Sequence, residues 1–221
     1  PICEFGKWVS QGKGDKERQW MLNRAYDALM DLSGIVGVPP RAISLNGTMG
    51  IAFGSRGTGW ASAHFEPGNL VINLTKTRGA GALAHEWFHA LDNYFARARG
   101  GEVEFTGNQL DYRKNNYVTY KPEPMMVGKG PGFRGAMRKA ELERRRALQP
   151  DSKYYAAEHW QVDPKHPEGV RPEVEQRFAA LVAALDEAPM TKRAAMIDKG
   201  SGGSEGYWSR IIERAARSFE S

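Results

Sequence analysis

The sequence predicts an α+β fold in which a small, mostly antiparallel sheet packs on one central helix, with further helices after it. Three observations carry that expectation. Between residues 42 and 74, short apolar pieces alternate with glycine-rich turns, the pattern of strands. Directly after them comes an apolar helical stretch, Ala84-His85-Glu86-Trp87-Phe88-His89-Ala90-Leu91-Asp92, containing His-Glu-x-x-His. Later, Pro172–Glu187 sets Val174, Phe178, Leu181, Val182 and Leu185 on one stripe at helical spacing.

Taken in order, residues 1–15 are polar and Gly-rich around Phe5 and Trp8, and read as an irregular lead-in. Asp15 can cap a helix over about 16–33, in which Trp20, Leu22, Tyr26, Leu29, Met30 and Leu32 recur near helical spacing. Gly34, Gly37 and Pro39-Pro40 stop it. Strands are expected over Ala42–Leu45, Met49–Phe53, Ala61–Phe65 and Leu70–Leu74, with turns at Asn46-Gly47 and Pro67-Gly68-Asn69. The section from Gly54 to Gly59 lacks the Lys-Ser/Thr ending of a phosphate-binding loop and leads into no helix. It reads as a hairpin loop, not a nucleotide site. The last strand runs through Arg78–Gly81 into the His85 helix. An edge strand placed there could pair with an extended peptide, and the plain alternative is a purely structural sheet.

After Phe95 the composition shifts. Residues 97–170 are rich in Arg, Lys, Pro, Gly and Tyr with few apolar runs, and read as a basic, loop-rich insertion in a single domain spanning 1–221. Gly128–Gly135 should be a loop, and Met137–Leu148 a charged helix ending near Arg144-Arg145-Arg146. Tyr154, Tyr155 and His159 sit close enough to Ala156-Ala157 to share a short helix. Pro189 ends the amphipathic helix, Thr191–Lys199 forms another, and Gly200–Gly206 is a joint before a last helix over Tyr207–Glu220.

Composition bounds the function. Of 221 residues, 41% are hydrophobic and 26% charged, ordinary for a globular chain. A net charge of +5 is mild and spread out, a weak pointer to nucleic acid. No apolar run approaches the roughly 20 residues of a membrane span, so no membrane partner is expected. No secretory signal is read at the start, and a beginning at Pro1 rather than Met leaves room for sequence upstream. The single cysteine, Cys3, excludes an internal disulfide and suits a reducing, cytoplasmic setting. Without a secretion signal, the acceptor patterns at Asn46 and Asn73 read as accidental.

The chemistry lies in the central motif. Residues four apart on a helix lie one above the other, so His85 and His89 can aim two imidazoles at one metal ion. Glu86, turned by about 100° from His85, can meet a water at that metal without becoming a ligand. Asp92 shares their stripe and could orient an imidazole through its outer nitrogen, a supporting role around the metal. Two histidines and two acids in so apolar a helix would be costly to bury without a metal. Catalytic zinc takes three protein ligands and leaves a position for water. The third is open among Asp92, His64, His159, His166, Glu205, Glu213 and Glu220. Context favours Glu213, since Ala215 and Ala216 beside it allow its helix to pack closely on the metal helix.

Four stretches, Leu22–Leu32, Ser44–Gly54, Gly79–Asp92 and Tyr207–Glu220, resemble the metallopeptidase-like domain of large polyvalent proteins of phages and conjugative elements. The resemblance covers most of the chain and is weakest over 97–170. It implies a zincin-like fold of the gluzincin kind, with zinc held by His85, His89 and Glu213 and with Glu86 catalytic. It also implies a module of a longer protein delivered into a bacterial recipient cell. The expected activity is zinc-dependent hydrolysis of a protein or peptide. Tyr207, in the Gly-rich approach to the Glu213 helix, is the expected donor to the oxyanion, with Tyr154, Tyr155 and His159 in reserve and plain packing beside Trp208 as its alternative. Two other readings stand beside this one. One is a catalytically silent, zinc-containing module whose basic 113–146 region holds nucleic acid or an acidic protein. The other is zinc hydrolysis of a non-peptide bond.

Overall fold

A computed structural model describes residues 3–7, 14–57, 62–75, 79, 81–98, 105–106, 109–110, 117–120, 125–129, 135–162, 172–200 and 206–221. Trp8, His166, Glu205, most of the 128–135 loop and most of the 200–206 joint lie outside the described residues, as do residues 58 and 59.

The protein is α+β. Its first sheet is built from β1 (Cys3–Phe5), β2 (Gly50–Phe53), β3 (Ala63–Glu66) and β4 (Val71–Leu74), in the order β1-β2-β4-β3. It is mixed rather than mostly antiparallel, because β1 runs parallel to β2 and β2 parallel to β4, while β3 is antiparallel to β4. Parallel neighbours need a long crossover. Here α1 (Gly14–Val36) and the short α2 (Pro40–Ile43) supply it between β1 and β2. Within the expected irregular lead-in, Cys3–Phe5 is therefore an edge strand, with Phe5 stacked on Phe53 at 5.2 Å. The 54–59 section does not close a hairpin either, since it carries the chain past β4 to the far edge of the sheet.

Residues 42–45 form no strand. Pro40 sits at the start of α2, where its fixed φ favours a helical turn, and the chain then swings through left-handed Leu45 and Asn46, at φ 50° and 58°. Helix α1 forms over the predicted span and two or three residues beyond each end, but its buried stripe differs. Ala25, Leu29, Leu32 and Val36 meet the core, whereas Trp20, Leu22, Tyr26 and Met30 are exposed.

Gly79 shapes the entry into the central helix. A Cβ there would lie 2.7 Å from the Thr75 carbonyl oxygen, so only glycine lets the chain fold back this tightly. Helix α3 (Leu83–Ala98) follows and forms the middle layer. Its Trp87 face packs against the sheet with Ile43, Phe65 and Ile72, and the Trp87 indole donates to the Ile43 carbonyl at 2.8 Å. The Phe88 face packs against α5 (Pro172–Glu187) and α7 (Ile211–Glu220) through Phe178, Ala215 and Ala216. Phe219 of α7 bridges the two faces, stacked 5.5 Å from Trp87 and 5.2 Å from Phe88. Helix α6 (Pro189–Gly200) lies between α5 and α7 in sequence. Buried Arg214 ties all three together, donating to the Leu185 carbonyl at 3.0 Å, Asp186 at 3.0 Å and Thr191 Oγ1.

The segment expected to be mostly loop holds ordered elements. It contains a short hairpin, β5 (Phe105–Thr106) with β6 (Gln109–Leu110), and an antiparallel sheet of β7 (Met125–Gly128), β8 (Ala136–Arg138) and β9 (Trp160–Val162). Helix α4 (Lys139–Leu148) packs beside that sheet. Few apolar residues suffice because Leu142 and Trp160 are fully covered. The arginine run braces this unit. Arg144 and Arg145 pair with Glu141, Arg145 also donates to the Tyr155 hydroxyl, and Arg146 donates to the Tyr155 carbonyl. No helix among the described residues is long and apolar enough to cross a membrane.

Candidate metal centre

His85 and His89 project from adjacent turns of α3, and Glu213 projects from the first turn of α7. The fully buried Ala215 and Ala216 let α7 lie close along α3, which brings the three together. His85 Nε2 and His89 Nε2 are 3.1 Å apart, His85 Nε2 lies 3.3 Å from Glu213 Oε2, and His89 Nε2 lies 3.7 Å from Glu213 Oε1. Among the described residues, this is the set whose ligand atoms converge, all within 4.8 Å of one another. All three side chains are buried.

These distances fit a metal ion. With bonds of about 2.0–2.2 Å, the ligand atoms of a tetrahedral zinc site lie about 3.3–3.5 Å apart. Protein hydrogen bonds leave the cluster underserved. His89 Nδ1 and Glu213 Oε2 are buried without a well-formed partner, although Glu213 Oε2 lies close to His85. Burial pushes the His89 imidazole down to about 4, which keeps it neutral with a lone pair to share. For His85, burial works against the charged ring, but the hydrogen bond to Glu213 and the charges of Glu86, Glu213 and Glu220 together raise its pKa. Burial likewise opposes charge on Glu213, yet His85, His89 and the Tyr207 hydroxyl hold it below the usual carboxylate range.

Glu86 lies beside the cluster, 8% exposed, and burial raises its carboxyl to about 7. The backbone N–H of Phe65 donates to it. That bond follows from the strand register. Ser62 accepts from Thr75 N–H, so the bonded pairs of the β3–β4 ladder are 62:75, 64:73 and 66:71. The N–H and C=O groups of Ala63 and Phe65 therefore point to the open edge of β3, toward Glu86. A cleft of about 200 Å³ lies along this edge, lined by Ala63, His64, Phe65, Glu86, His89, Tyr117, Tyr207, Arg210, Ile212 and Glu213.

The remaining candidates separate clearly. Tyr207 lines the cleft, 47% exposed as a residue, with its hydroxyl bonded to Glu213. Burial and the Glu213 charge hold that hydroxyl firmly protonated. Asp92 is fully buried, but its carboxylate receives the backbone N–H of Val118, the N–H of Thr119 at 3.1 Å and the Thr119 hydroxyl at 2.6 Å. The carboxylate that meets an imidazole's outer nitrogen is Glu220, 3.1 Å from His85 Nδ1. Asp92 sits one turn farther along the axis than His89, level with residues 117–119, and their donors take it up. His64 occupies the cleft wall with Nε2 3.1 Å from Glu66 Oε1. Tyr154, Tyr155 and His159 lie on two short 3₁₀ turns, Lys153–Tyr155 and Ala157–His159, just ahead of β9, where Tyr154 packs edge-on to Trp160.

Two lining residues, Tyr117 and Arg210, were not among those expected from the sequence. Tyr117, 2% exposed and edge-on to His89 at 6.1 Å, comes from the tyrosine-rich 97–170 stretch, where nothing local marks it. Arg210 precedes Glu213 by three residues, so the one-turn helical offset would have revealed it once Glu213 was chosen. Compared with protein-family models, curated proteins and solved structures, the chain has no match in any of the three.

Proposed function

We propose that this chain is a zinc-dependent metallopeptidase with a zincin-like core, a module of the polyvalent-protein kind whose motifs it resembles, acting in the cytoplasm of a bacterial cell. The observation that carries the reading is the convergence of His85, His89 and Glu213 at tetrahedral spacing, with the buried Glu86 carboxyl beside them. Two imidazoles and one carboxylate are a ligand set of catalytic zinc, and zinc held there would supply electrophilic polarisation of water and of a peptide carbonyl.

The protein's own groups do the rest. A Glu86 carboxyl near neutrality can accept a proton from water in the cleft and pass it to a departing amine. The Phe65 N–H keeps that carboxyl aimed along β3. The open backbone groups of Ala63 and the Phe65 carbonyl suit an extended peptide added as a further strand, which would lay one of its bonds across the cleft. On turning from Glu213, the protonated Tyr207 hydroxyl would donate to a reacting carbonyl oxygen in the same cleft. Glu86 also supports an enzyme over a silent zinc module, because a purely structural site has no use for a buried, uncoordinated carboxyl.

Elemental analysis of purified protein beside His85→Ala and Glu213→Ala tests the centre. The expected result is one zinc per wild-type chain, lost from both variants. A peptide-library digest with Glu86→Gln as control tests the activity, which that variant should lose while keeping its zinc. Wild-type protein that takes up no zinc on reconstitution would sink the proposal.

A further inference from the structure

Proton transfer and metal binding account for Glu86, His85, His89 and Glu213, but not for the cation that shares their cleft. Arg210, half-buried, lines it alongside Tyr207 and Glu213. It stands one helical turn before Glu213, and its guanidinium lies over the Tyr207 ring, 5.9 Å from the centroid. The opposite wall is the open edge of β3. Nothing in hydrolysis itself calls for an arginine at this place.

The charges of the cleft give it a use. Among the described residues, its charged lining groups are Glu86, Glu213 and Arg210. A divalent ion on the cluster would offset the two carboxylates, and the guanidinium is then the cationic group of that lining. Asp198, which feels the Arg210 charge, lies outside the lining, and its oxygens accept the backbone N–H groups of Trp208 and Ser209. A guanidinium carries five donors in a fixed fork that matches a carboxylate, so it can take a carboxylate while keeping the neighbours it already has.

We infer that Arg210 is a specificity-determining residue that selects peptides presenting a carboxylate next to the bond lying across the cleft. The inference rests on the metallopeptidase reading and names its substrate class. The carboxylate has two possible sources, an Asp or Glu side chain and a free C-terminus, which peptide design separates.

The test uses zinc-loaded Glu86→Gln protein, so that binding is read without turnover. Three fluorescent peptide sets are titrated: amidated peptides with an internal Glu, neutral peptides with a free C-terminus, and neutral amidated peptides. We expect one carboxylate-bearing set to bind at least 10-fold tighter than the neutral amidated set, and the preferred set to identify the source. Adding Arg210→Gln should erase the preference, and Arg210→Lys should keep part of it. Equal zinc content in all variants shows that the centre has survived. A preference that persists in Arg210→Gln, or binding without preference, would overturn the inference while leaving library cleavage by wild-type protein intact. Failure of the metallopeptidase reading looks different, with no zinc bound and no peptide cut.

Discussion

Removing the proposed proton carrier should make the metal-free protein more stable. Burial raises the Glu86 carboxyl from 4.5 to about 7. The folded state then holds this proton more tightly than the unfolded state, so the contribution of Glu86 to stability is greatest below pH 4.5 and declines as pH rises through about 7. At about 1.4 kcal/mol per pH unit, this difference in proton binding lowers stability, relative to acid pH, by about 3 kcal/mol at pH 8.5 but only by about 1 kcal/mol at pH 5, where only the unfolded chain is partly ionised. Gln keeps the shape and an acceptor for the Phe65 N–H, and carries no charge. Urea unfolding of wild type and Glu86→Gln, both with chelator, at the two pH values measures the difference directly. Burial holds His89 down at about 4, which makes wild-type stability rise with pH over part of the same range. That contribution is common to both proteins and cancels in the comparison. A stability gain of equal size at pH 5 and pH 8.5, or none at pH 8.5, would refute the reasoning.

Three further outcomes follow from particular contacts. Glu220→Gln should weaken zinc binding by about 10-fold in a chelator competition, the low end of the range for such outer partners because Glu220 is partly exposed; unchanged affinity would mean that it does not orient His85. Ala216→Leu, at a fully buried position between α7 and α3, should cost about 1–3 kcal/mol in urea unfolding and lower zinc content by moving Glu213 away; a neutral result would show the interface to be loosely packed. Asp92→Ala should cost about 3 kcal/mol or more in the same assay, since it strands two backbone N–H groups and the Thr119 hydroxyl in the interior, and Asp92→Asn should cost less because one acceptor remains.

What the sequence revealed was local in origin. Helix α5 has the predicted bounds because its apolar stripe repeats within sixteen residues, and the His85–His89 pair follows from helical rise alone. Glu213 was legible through the alanines beside it, a packing cue carried on one helix. Where partners lie far apart in sequence, the reading failed. Three residues of β1 carry no pattern of their own and become a strand only against β2, nearly fifty residues away. The parallel order of β2 and β4 depends on where the chain crosses, which residue alternation does not encode. In α1 the bulky residues drew attention, yet the smaller Ala25 and the later Val36 face the core, because the docking surface is set by α2 and the sheet. Asp92 lies on the stripe of the two histidines, and its partners come from a segment about twenty-five residues on whose approach nothing local predicts.

One feature of the centre bears on the order of events during synthesis. Its ligands come from α3 and α7, separated by the whole length of the 99–210 stretch, and Glu220 follows still later. While the ribosome is still making that stretch, the growing chain carries the paired histidines and Glu86 but not the carboxylate that completes the set. A nascent chain at that stage could hold an ion only weakly and would be harmless to its neighbours. On the metallopeptidase reading, hydrolytic competence would arrive only with the docking of α7, and a molecule stalled or truncated before residue 211 would stay inert.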